Sequence, residues 1–173
     1  MKYIEEKIDR KKHFEVVGNF QCGADDPLDR FLTDCSFQYD EKRLGITYLF
    51  FEEEDHTLLA FYTIKTNAIQ TFDTDTKEYN ALPMIEIARI AVAHEFQASG
   101  IGKMLFFEYI LPKVKIISSL VAVYGLIVFV EKYNINGIKF YKSLGFQKAD
   151  NSVQNTISET FNEECDLYVL KLI

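Results

Sequence analysis

Residues 84–115 read MIEIARIAVAHEFQASGIGKMLFFEYILPKVK, and this stretch of the chain decides its fold. It opens with β-branched and small apolar residues from Ile85 to Val92, a composition typical of a buried strand. The polar segment Ala93 to Ser99 indicates a turn. After Gly100 and Gly102, apolar residues recur at roughly helical spacing. The pattern therefore predicts a strand, a glycine-containing turn and a helix.

The predicted turn is suited to binding an anion. The first N–H groups of a helix have no hydrogen-bond partner within the helix, and they lie at the positive end of the helix dipole. Gly100 and Gly102 carry no Cβ, so the backbone can approach a ligand closely and can adopt a positive φ. A phosphate group is the expected ligand.

Two common phosphate-binding motifs do not fit this turn. A P-loop needs an earlier glycine before its Gly-Lys pair and a Ser or Thr after it, whereas residues 96–101 contain only Gly100 and Met104 follows Lys103. A dinucleotide-binding fingerprint needs a third glycine, and position 105 is Leu. The turn therefore does not indicate a binding site for a nucleoside triphosphate or a dinucleotide.

Two blocks of sequence match a different pattern. The first is Gln-x-x-Gly-x-Gly at Gln97–Gly102, after a strand that ends Arg-Ile-Ala-Val at Val92. The second is NINGIKFYKSLGF, from Asn134 to Phe146. Together they resemble the GNAT family of acetyl-CoA-dependent N-acetyltransferases. The resemblance implies an α/β (α+β) fold with a central, mostly antiparallel mixed sheet of about six to seven strands flanked by helices, in a single domain spanning residues 1–173.

The same resemblance implies where acetyl-CoA binds as co-substrate. In the family the glutamine loop holds the pyrophosphate of coenzyme A, and the end of the preceding strand binds the pantetheine arm. The helix-start asparagine contacts the coenzyme or positions its helix, and it can equally be an ordinary N-cap. The cofactor-binding residues predicted in this way are Ile90, Ala91, Val92, Gln97, Ala98, Ser99, Gly100, Ile101, Gly102, Lys103 and Asn134. No metal is expected.

Two catalytic roles follow from the resemblance. Tyr141 matches the family's tyrosine near the sulfur, whose phenol can return a proton to the thiolate; the alternative is a core aromatic residue. Glu86 occupies the position at which some family members carry a glutamate, and it could accept the amine's proton directly or through water. Its alternative is a substrate-orienting carboxylate or one paired with Arg89 or a lysine. His94 in the turn is a further candidate base.

The expected reaction is transfer of acetyl to a primary amine of a small molecule or peptide, by direct attack in a ternary complex. One alternative is a toxin-like member, because Phe20-x-Cys-Gly before Leu28-Asp-x-Phe-Leu resembles that subgroup. Characterised toxins of the subgroup acetylate the amino group of aminoacyl-tRNA and are neutralised by a small antitoxin. A second alternative is a non-catalytic coenzyme-binding module. The oligomeric state stays open, with a homodimer among the options.

Charge and composition bound the partners. With 19 basic and 26 acidic residues the formal charge is −7, which disfavours binding to nucleic acid or anionic membranes and is awkward for a tRNA-directed enzyme. The longest apolar run, Leu120 to Val130, is too short to cross a bilayer, and the first residues lack the apolar segment of a signal peptide. The three cysteines lack metal-ligand spacing. We therefore expect a cytoplasmic protein with reduced thiols.

The rest of the chain gives expectations for single elements. Phe14–Val17 is expected to form an edge strand, and Pro27 to begin a helix capped by Asp25 or Asp26. The polar segment Gln70–Leu82 is expected to be a loop, either facing the substrate or simply solvated. The remaining predictions are a hairpin of strands Ile46–Glu53 and Thr57–Thr66, a strand Leu120–Glu131, a helix over residues 134–143, and strands from Phe146 and Leu167.

Overall fold

A computed structural model describes residues 2–23, 26–154 and 163–172 of the chain. In this described part, seven strands form one sheet in the order β1-β2-β3-β4-β5-β7-β6. β4 and β5 are parallel, whereas the β1–β2, β2–β3, β5–β7 and β6–β7 pairs are antiparallel. The prediction of a mostly antiparallel mixed sheet with helices is confirmed. The strands are β1 Tyr3–Lys7, β2 Ile46–Glu52, β3 Leu58–Asp73, β4 Glu78–Val92, β5 Gly125–Glu131, β6 Gln147–Lys148 and β7 Cys165–Lys171.

The helical segments occur before β2, between β4 and β5, and after β5. They are α1 Arg10–Gly18, α2 Pro27–Arg30, a π-helical turn Phe31–Cys35, α3 Ser36–Glu41, a 3-10 turn His94–Phe96, α4 Ile101–Met104, a second π-helical turn Leu105–Ile110, α5 Leu111–Leu120 and α6 Ile135–Ser143. No helix in the described ranges is both long and apolar enough to span a membrane.

The chain forms two compact units, and β3 and β4 each contribute residues to both. The first unit contains residues 1–65 and 87–110, and the second contains residues 66–86 and 111–173. The first unit has a core of buried side chains that includes Phe31, Leu32, Leu49, Phe61 and Ala91. The second unit has its own buried cluster, which includes Ile69, Met84, Ile127 and Leu167.

The expected edge strand at Phe14–Val17 is wrong, because these residues belong to α1. The Asp9 carboxylate caps this helix by accepting hydrogen bonds from the N–H groups of Lys11 and Lys12, at 2.8 and 3.1 Å. His13 and Val17 then lie one helical turn apart on the buried face. The Asp9 cap favours a helix over these residues in spite of their strand propensity.

The expected loop over Gln70–Leu82 is also wrong, because the chain forms a hairpin in which β3 ends at Asp73 and β4 begins at Glu78. The Asp73 carboxylate accepts hydrogen bonds from the N–H groups of Asp75 and Thr76, at 2.8 and 3.1 Å. This side chain closes a tight turn over residues 74–77, and the polar residues on either side of it belong to the two strands.

Other elements agree with the sequence. The hairpin of β2 and β3 is confirmed, as is the helix that starts at Pro27, where Asp26 is the N-cap; Asp25 lies outside the described residues. The helix over residues 134–143 is confirmed as α6. β5 starts at Gly125 and not at Leu120, which still belongs to α5.

Candidate active site

The glycine turn forms an open cradle of backbone N–H groups in the first unit. Ala98 and Gly100 both adopt left-handed backbone angles, with φ of 61° and 93°. Gly100 is the N-cap of α4, and its carbonyl accepts the first helical hydrogen bond, from the N–H of Met104 at 3.1 Å. The N–H groups from Gly100 to Lys103 therefore precede the helical hydrogen-bond pattern. Residues 97–100 are exposed, so an anion has access to them.

Gln97 ties this cradle to the rest of its unit. Its side-chain amide donates hydrogen bonds to the carbonyl oxygens of Cys22, at 2.6 Å, and Val92, at 3.1 Å. Its backbone N–H donates to the carbonyl of His94 at 3.3 Å. Both kinds of donor on Gln97 therefore bond to protein atoms. The part of the cradle that remains for a ligand starts at Ala98.

The segment Ile90–Val92 forms the end of β4, directly before the turn. Ala91 is buried in the core of the first unit, and Ile90 and Val92 are partly exposed. β4 pairs with β5 over Met84–Glu86, and Ile90–Val92 lie further along the strand, beyond these pairs. Val92 and the cradle are linked by the Gln97 side chain, so the strand end and the cradle are held together.

Arg89 has a contact that the sequence did not reveal. Its guanidinium carbon lies 3.7 Å from the ring centroid of Phe31 and 5.2 Å from that of Tyr39. Such a cation over an aromatic face is attracted by the ring's quadrupole. Phe31 belongs to a π-helical turn and Tyr39 to α3, so the contact joins β4 to the helical segment that follows the Phe-x-Cys-Gly block. The contacts of the Arg89 guanidinium are therefore the aromatic rings of Phe31 and Tyr39.

Glu86 is buried in the second unit, with only 5% of its surface exposed. Its carboxylate accepts a hydrogen bond from the side-chain amide of Asn67 at 2.6 Å. Because burying a carboxylate costs free energy unless it is hydrogen-bonded, Asn67 stabilises Glu86 in place. Asn67 was missed from sequence, since its role depends on how β3 and β4 are aligned.

Tyr141 is partly buried on α6, in the second unit. Its ring packs against Phe140 and Phe146 in edge-on contacts, with centroids 5.2 and 5.6 Å apart. Burial raises the pKa of the Tyr141 phenol above its ordinary value of about 10. The phenol therefore keeps its proton at neutral pH and can act as a donor.

Asn134 has a structural role as a helix cap, whereas His94 and Lys103 are exposed. The Asn134 side-chain oxygen accepts a hydrogen bond from the N–H of Gly137 at 2.8 Å, so it caps α6. A Cβ at Gly137 would lie 2.9 Å from the Asn134 side chain, so a larger residue there would displace the capping group. His94 is exposed in the 3-10 turn, and Lys103 is exposed on α4.

The structure thus places the predicted residues in two sets. The first unit brings together the strand end, the Gln97 side chain and the N–H cradle. The second unit contains Glu86 with Asn67, and α6 with its cap Asn134 and Tyr141. The first set offers unpaired backbone amides, and the second offers a protonated phenol and a buried carboxylate.

Comparisons with known proteins identify the family and the fold. The sequence model of the family described as Acetyltransferase (GNAT) family matches residues 22–146. No curated protein matches the chain in a sequence search.

Several solved structures have a similar fold. AtaT complexed with acetyl-methionyl-tRNAfMet superimposes with a TM-score of 0.75 and 20% identity, covering 98% of this chain and 95% of that one. AtaTR bound with AcCoA gives a TM-score of 0.75 and 22% identity, covering 96% and 93%. The KacTA–DNA complex gives 0.70 and 22%, covering 98% and 93%.

Proposed function

Because the chain belongs to the GNAT acetyltransferase family, we propose that it transfers the acetyl group of acetyl-CoA to the α-amino group of an aminoacyl-tRNA. The observation that carries this acceptor is the likeness to AtaT complexed with acetyl-methionyl-tRNAfMet, which covers 98% of this chain. The Phe-x-Cys-Gly block at Phe20–Gly23 and the Arg89-Ile-Ala-Val92 strand end support the same subgroup. The proposed site lies in a single acetyltransferase domain.

The proposed binding of acetyl-CoA follows the geometry of the first unit. The N–H groups from Ala98 to Lys103 bind the pyrophosphate, helped by the positive end of the helix that starts at Ile101. The pantetheine arm pairs with the backbone of Ile90–Val92. Gln97 acts by holding these two segments together through its hydrogen bonds to Cys22 and Val92. The structure of AtaTR bound with AcCoA supports the same coenzyme here.

The proposed chemistry is direct attack in a ternary complex. The neutral amine attacks the thioester carbonyl carbon, a C–N bond forms, and the C–S bond breaks as the coenzyme leaves as a thiolate. Glu86 accepts the proton lost by the amine, directly or through water. Tyr141 gives its phenolic proton to the thiolate, a role supported by the raised pKa that keeps the phenol protonated.

The proposed setting follows from the acceptor. An enzyme that consumes aminoacyl-tRNA works in the cytoplasm, and a small antitoxin is the expected partner if the protein inhibits growth. The formal charge of −7 favours a second candidate, a small-molecule or peptide amine, because most affinity for tRNA comes from phosphate contacts with basic side chains.

A thiol-release assay distinguishes these functions. The protein is supplied with acetyl-CoA and, in separate reactions, with aminoacyl-tRNA, uncharged tRNA, polyamines, amino acids, aminoglycosides and peptides. Free thiol is expected with aminoacyl-tRNA and not with uncharged tRNA, which lacks the acceptor amine. Release with a small amine alone supports the second candidate. Absence of release with every acceptor, in a protein that binds acetyl-CoA, supports a non-catalytic module.

A further inference from the structure

The Arg89 guanidinium packs against two aromatic rings of the first unit, and no acidic side chain among the described residues forms an ion pair with it. Its guanidinium lies 3.7 Å above the ring of Phe31 and 5.2 Å from that of Tyr39. The ion pairs found among the described side chains involve other cations. A guanidinium held by its face keeps its N–H donors in the plane of the group, directed outward at its edge.

A second arginine in the same unit shows what a fully paired group looks like. Arg10 also lies over an aromatic ring, 4.8 Å from the centroid of Phe37. Its Nε, however, donates to the carboxylate of Glu41 at 3.0 Å. The charge of Arg10 is thus paired with a carboxylate of the protein itself. Arg89 offers the same kind of group with its edge available for an anion from outside.

The position of Arg89 along β4 indicates which anion it meets. The proposed pyrophosphate site comes after the end of β4 in the chain. The pantetheine arm therefore extends from this site back along β4, past Val92 and then Ile90. The reactive end of the coenzyme then lies at the Ile90 side, and Arg89 is the next residue. From Val92 to Arg89 an extended strand advances only about 10 Å. Arg89 is therefore placed on the acceptor side of the thioester and away from the pyrophosphate.

The face of the strand agrees with this placement. Alternate residues of a strand point to the same side, so Arg89 and Ala91 share one face. Ala91 is buried in the cluster that also contains Phe31. This arrangement fixes the Arg89 stem against the core and leaves its charged end beside the helical segment of Phe31 and Tyr39. A fixed arginine of this kind suits recognition of a planar or tetrahedral oxyanion.

We propose that Arg89, supported by Phe31 and Tyr39, binds a phosphate of the acceptor's 3′-terminal nucleotide and so determines specificity for an aminoacylated nucleotide over a free amine. This inference rests on the proposed function. It explains how an acidic chain can select a polyanionic acceptor, because one oriented guanidinium next to the reactive end replaces a broad basic surface.

The test compares three acceptors that differ in their phosphates: aminoacyl-tRNA, 3′-O-aminoacyladenosine 5′-phosphate and 3′-O-aminoacyladenosine without phosphate. For the wild-type chain, kcat/KM is expected to be about 10- to 100-fold higher for the phosphorylated than for the unphosphorylated adenosine, as one charge-assisted hydrogen-bonded contact provides. Arg89→Met should remove this preference by lowering kcat/KM for the two phosphate-bearing acceptors only. Arg89→Lys should keep part of it, since lysine retains the charge but not the planar fork.

Two controls separate recognition from structural support. The KM for acetyl-CoA and the melting temperature should stay unchanged in Arg89→Lys, and Arg10→Met should leave all three kcat/KM values as in the wild type. A wild type without phosphate preference, or an Arg89→Met variant that keeps it, overturns the inference while leaving the proposed function standing. If the wild type acetylates none of the three acceptors, the proposed function itself fails and the inference fails with it.

Discussion

The side-chain amide of Gln97 donates a hydrogen bond to the backbone carbonyl of Cys22, 75 residues away in sequence, at 2.6 Å. The same amide nitrogen also reaches the carbonyl of Val92 at 3.1 Å. One glutamine therefore fixes three parts of the first unit: the Phe-x-Cys-Gly block, the end of β4 and the loop before α4. This relationship makes the glutamine of the Gln-x-x-Gly-x-Gly motif a positioning residue for the N–H cradle.

Removing this amide should weaken coenzyme binding without removing catalysis. Gln97→Ala loses two hydrogen bonds, each contributing about 1 kcal/mol, so we expect the Kd for acetyl-CoA to rise about 5- to 30-fold. Gln97→Glu should be at least as harmful, because a carboxylate cannot donate to two carbonyl oxygens. Isothermal titration calorimetry measures the effect, with exposed Gln38→Ala on α3 as the control. Unchanged affinity in Gln97→Ala contradicts the positioning role.

The left-handed backbone of Gly100 predicts a second effect on the coenzyme. Gly100 has a φ of 93°, and an added Cβ would meet nothing within 4 Å, so Gly100→Ala introduces backbone strain and no collision. Strain of about 1–2 kcal/mol should shift the cradle and weaken acetyl-CoA binding about 5- to 30-fold.

Gly18→Ala is the matched control, since a Cβ there also has open space and Gly18 is not among the residues with positive φ. Both variants are titrated with acetyl-CoA under the same conditions. Equal affinity in the two variants would show that the cradle does not depend on the conformation of residue 100.

Tyr141→Phe should lower turnover much more than coenzyme affinity. Loss of a general acid typically costs about 10²- to 10⁴-fold in rate, whereas the phenylalanine ring keeps the packing against Phe140 and Phe146. Steady-state kinetics with a fixed acceptor give kcat and the KM for acetyl-CoA separately. A kcat equal to that of the wild type means that another group protonates the thiolate.

The raised pKa of the Tyr141 phenol also predicts a pH dependence. Because the phenol loses its proton only above its ordinary value of about 10, activity should not fall through Tyr141 ionisation at any pH below about 10. The pH profile of kcat for the wild type tests this. A Tyr141-dependent loss of activity between pH 8 and 9, absent from Tyr141→Phe, would contradict the burial of this phenol.

Glu86 and Asn67 give a prediction that separates a base from an orienting group. Glu86→Gln keeps the size of the side chain, so stability should change little, while kcat/KM should fall about 10²- to 10⁴-fold if the carboxylate takes the amine's proton. Asn67→Ala removes the hydrogen bond at 2.6 Å and should give a smaller loss. A Glu86→Gln enzyme with the kcat/KM of the wild type assigns the base to another group.

A substitution at Gly125, the first residue of β5, should lower the stability of the second unit. A Cβ at this position would lie 2.4 Å from the carbonyl oxygen of Leu170 on β7, so the strands must separate to accept it. We expect Gly125→Ala to lower the free energy of unfolding by about 1–3 kcal/mol. Denaturant unfolding measures the change, again with Gly18→Ala as the control. A destabilisation within experimental error of the control would mean that β5 and β7 adjust without cost.

The strand–turn–helix at residues 84–115 could be predicted because its apolar period changes at two glycines, a local signal. The same is true of α6, where Asn134 and Gly145 mark both ends. The hairpin of β3 and β4 was missed because its turn is closed by one side chain, Asp73, and polar strands lack a periodic apolar signal.

The side-chain contacts of the site depend on long-range alignment and could not be read from sequence. Asn67 reaches Glu86 only because β3 and β4 are aligned in a particular register, and Arg89 meets Phe31 through the packing of β4 against a distant helical segment. The motifs predict which backbone segment binds a phosphate. They did not identify which side chains support it.

The proposed acceptor is tested most directly by identifying the product formed from aminoacyl-tRNA. The protein is incubated with acetyl-CoA and charged tRNA, the RNA is digested with a nuclease, and the aminoacyl-adenosine is analysed by mass spectrometry, with Tyr141→Phe in a parallel reaction. We expect aminoacyl-adenosine that carries one acetyl group on its α-amine, in strongly reduced amount with Tyr141→Phe. Unmodified aminoacyl-adenosine, from a protein that releases thiol with a small amine, would contradict the proposed acceptor.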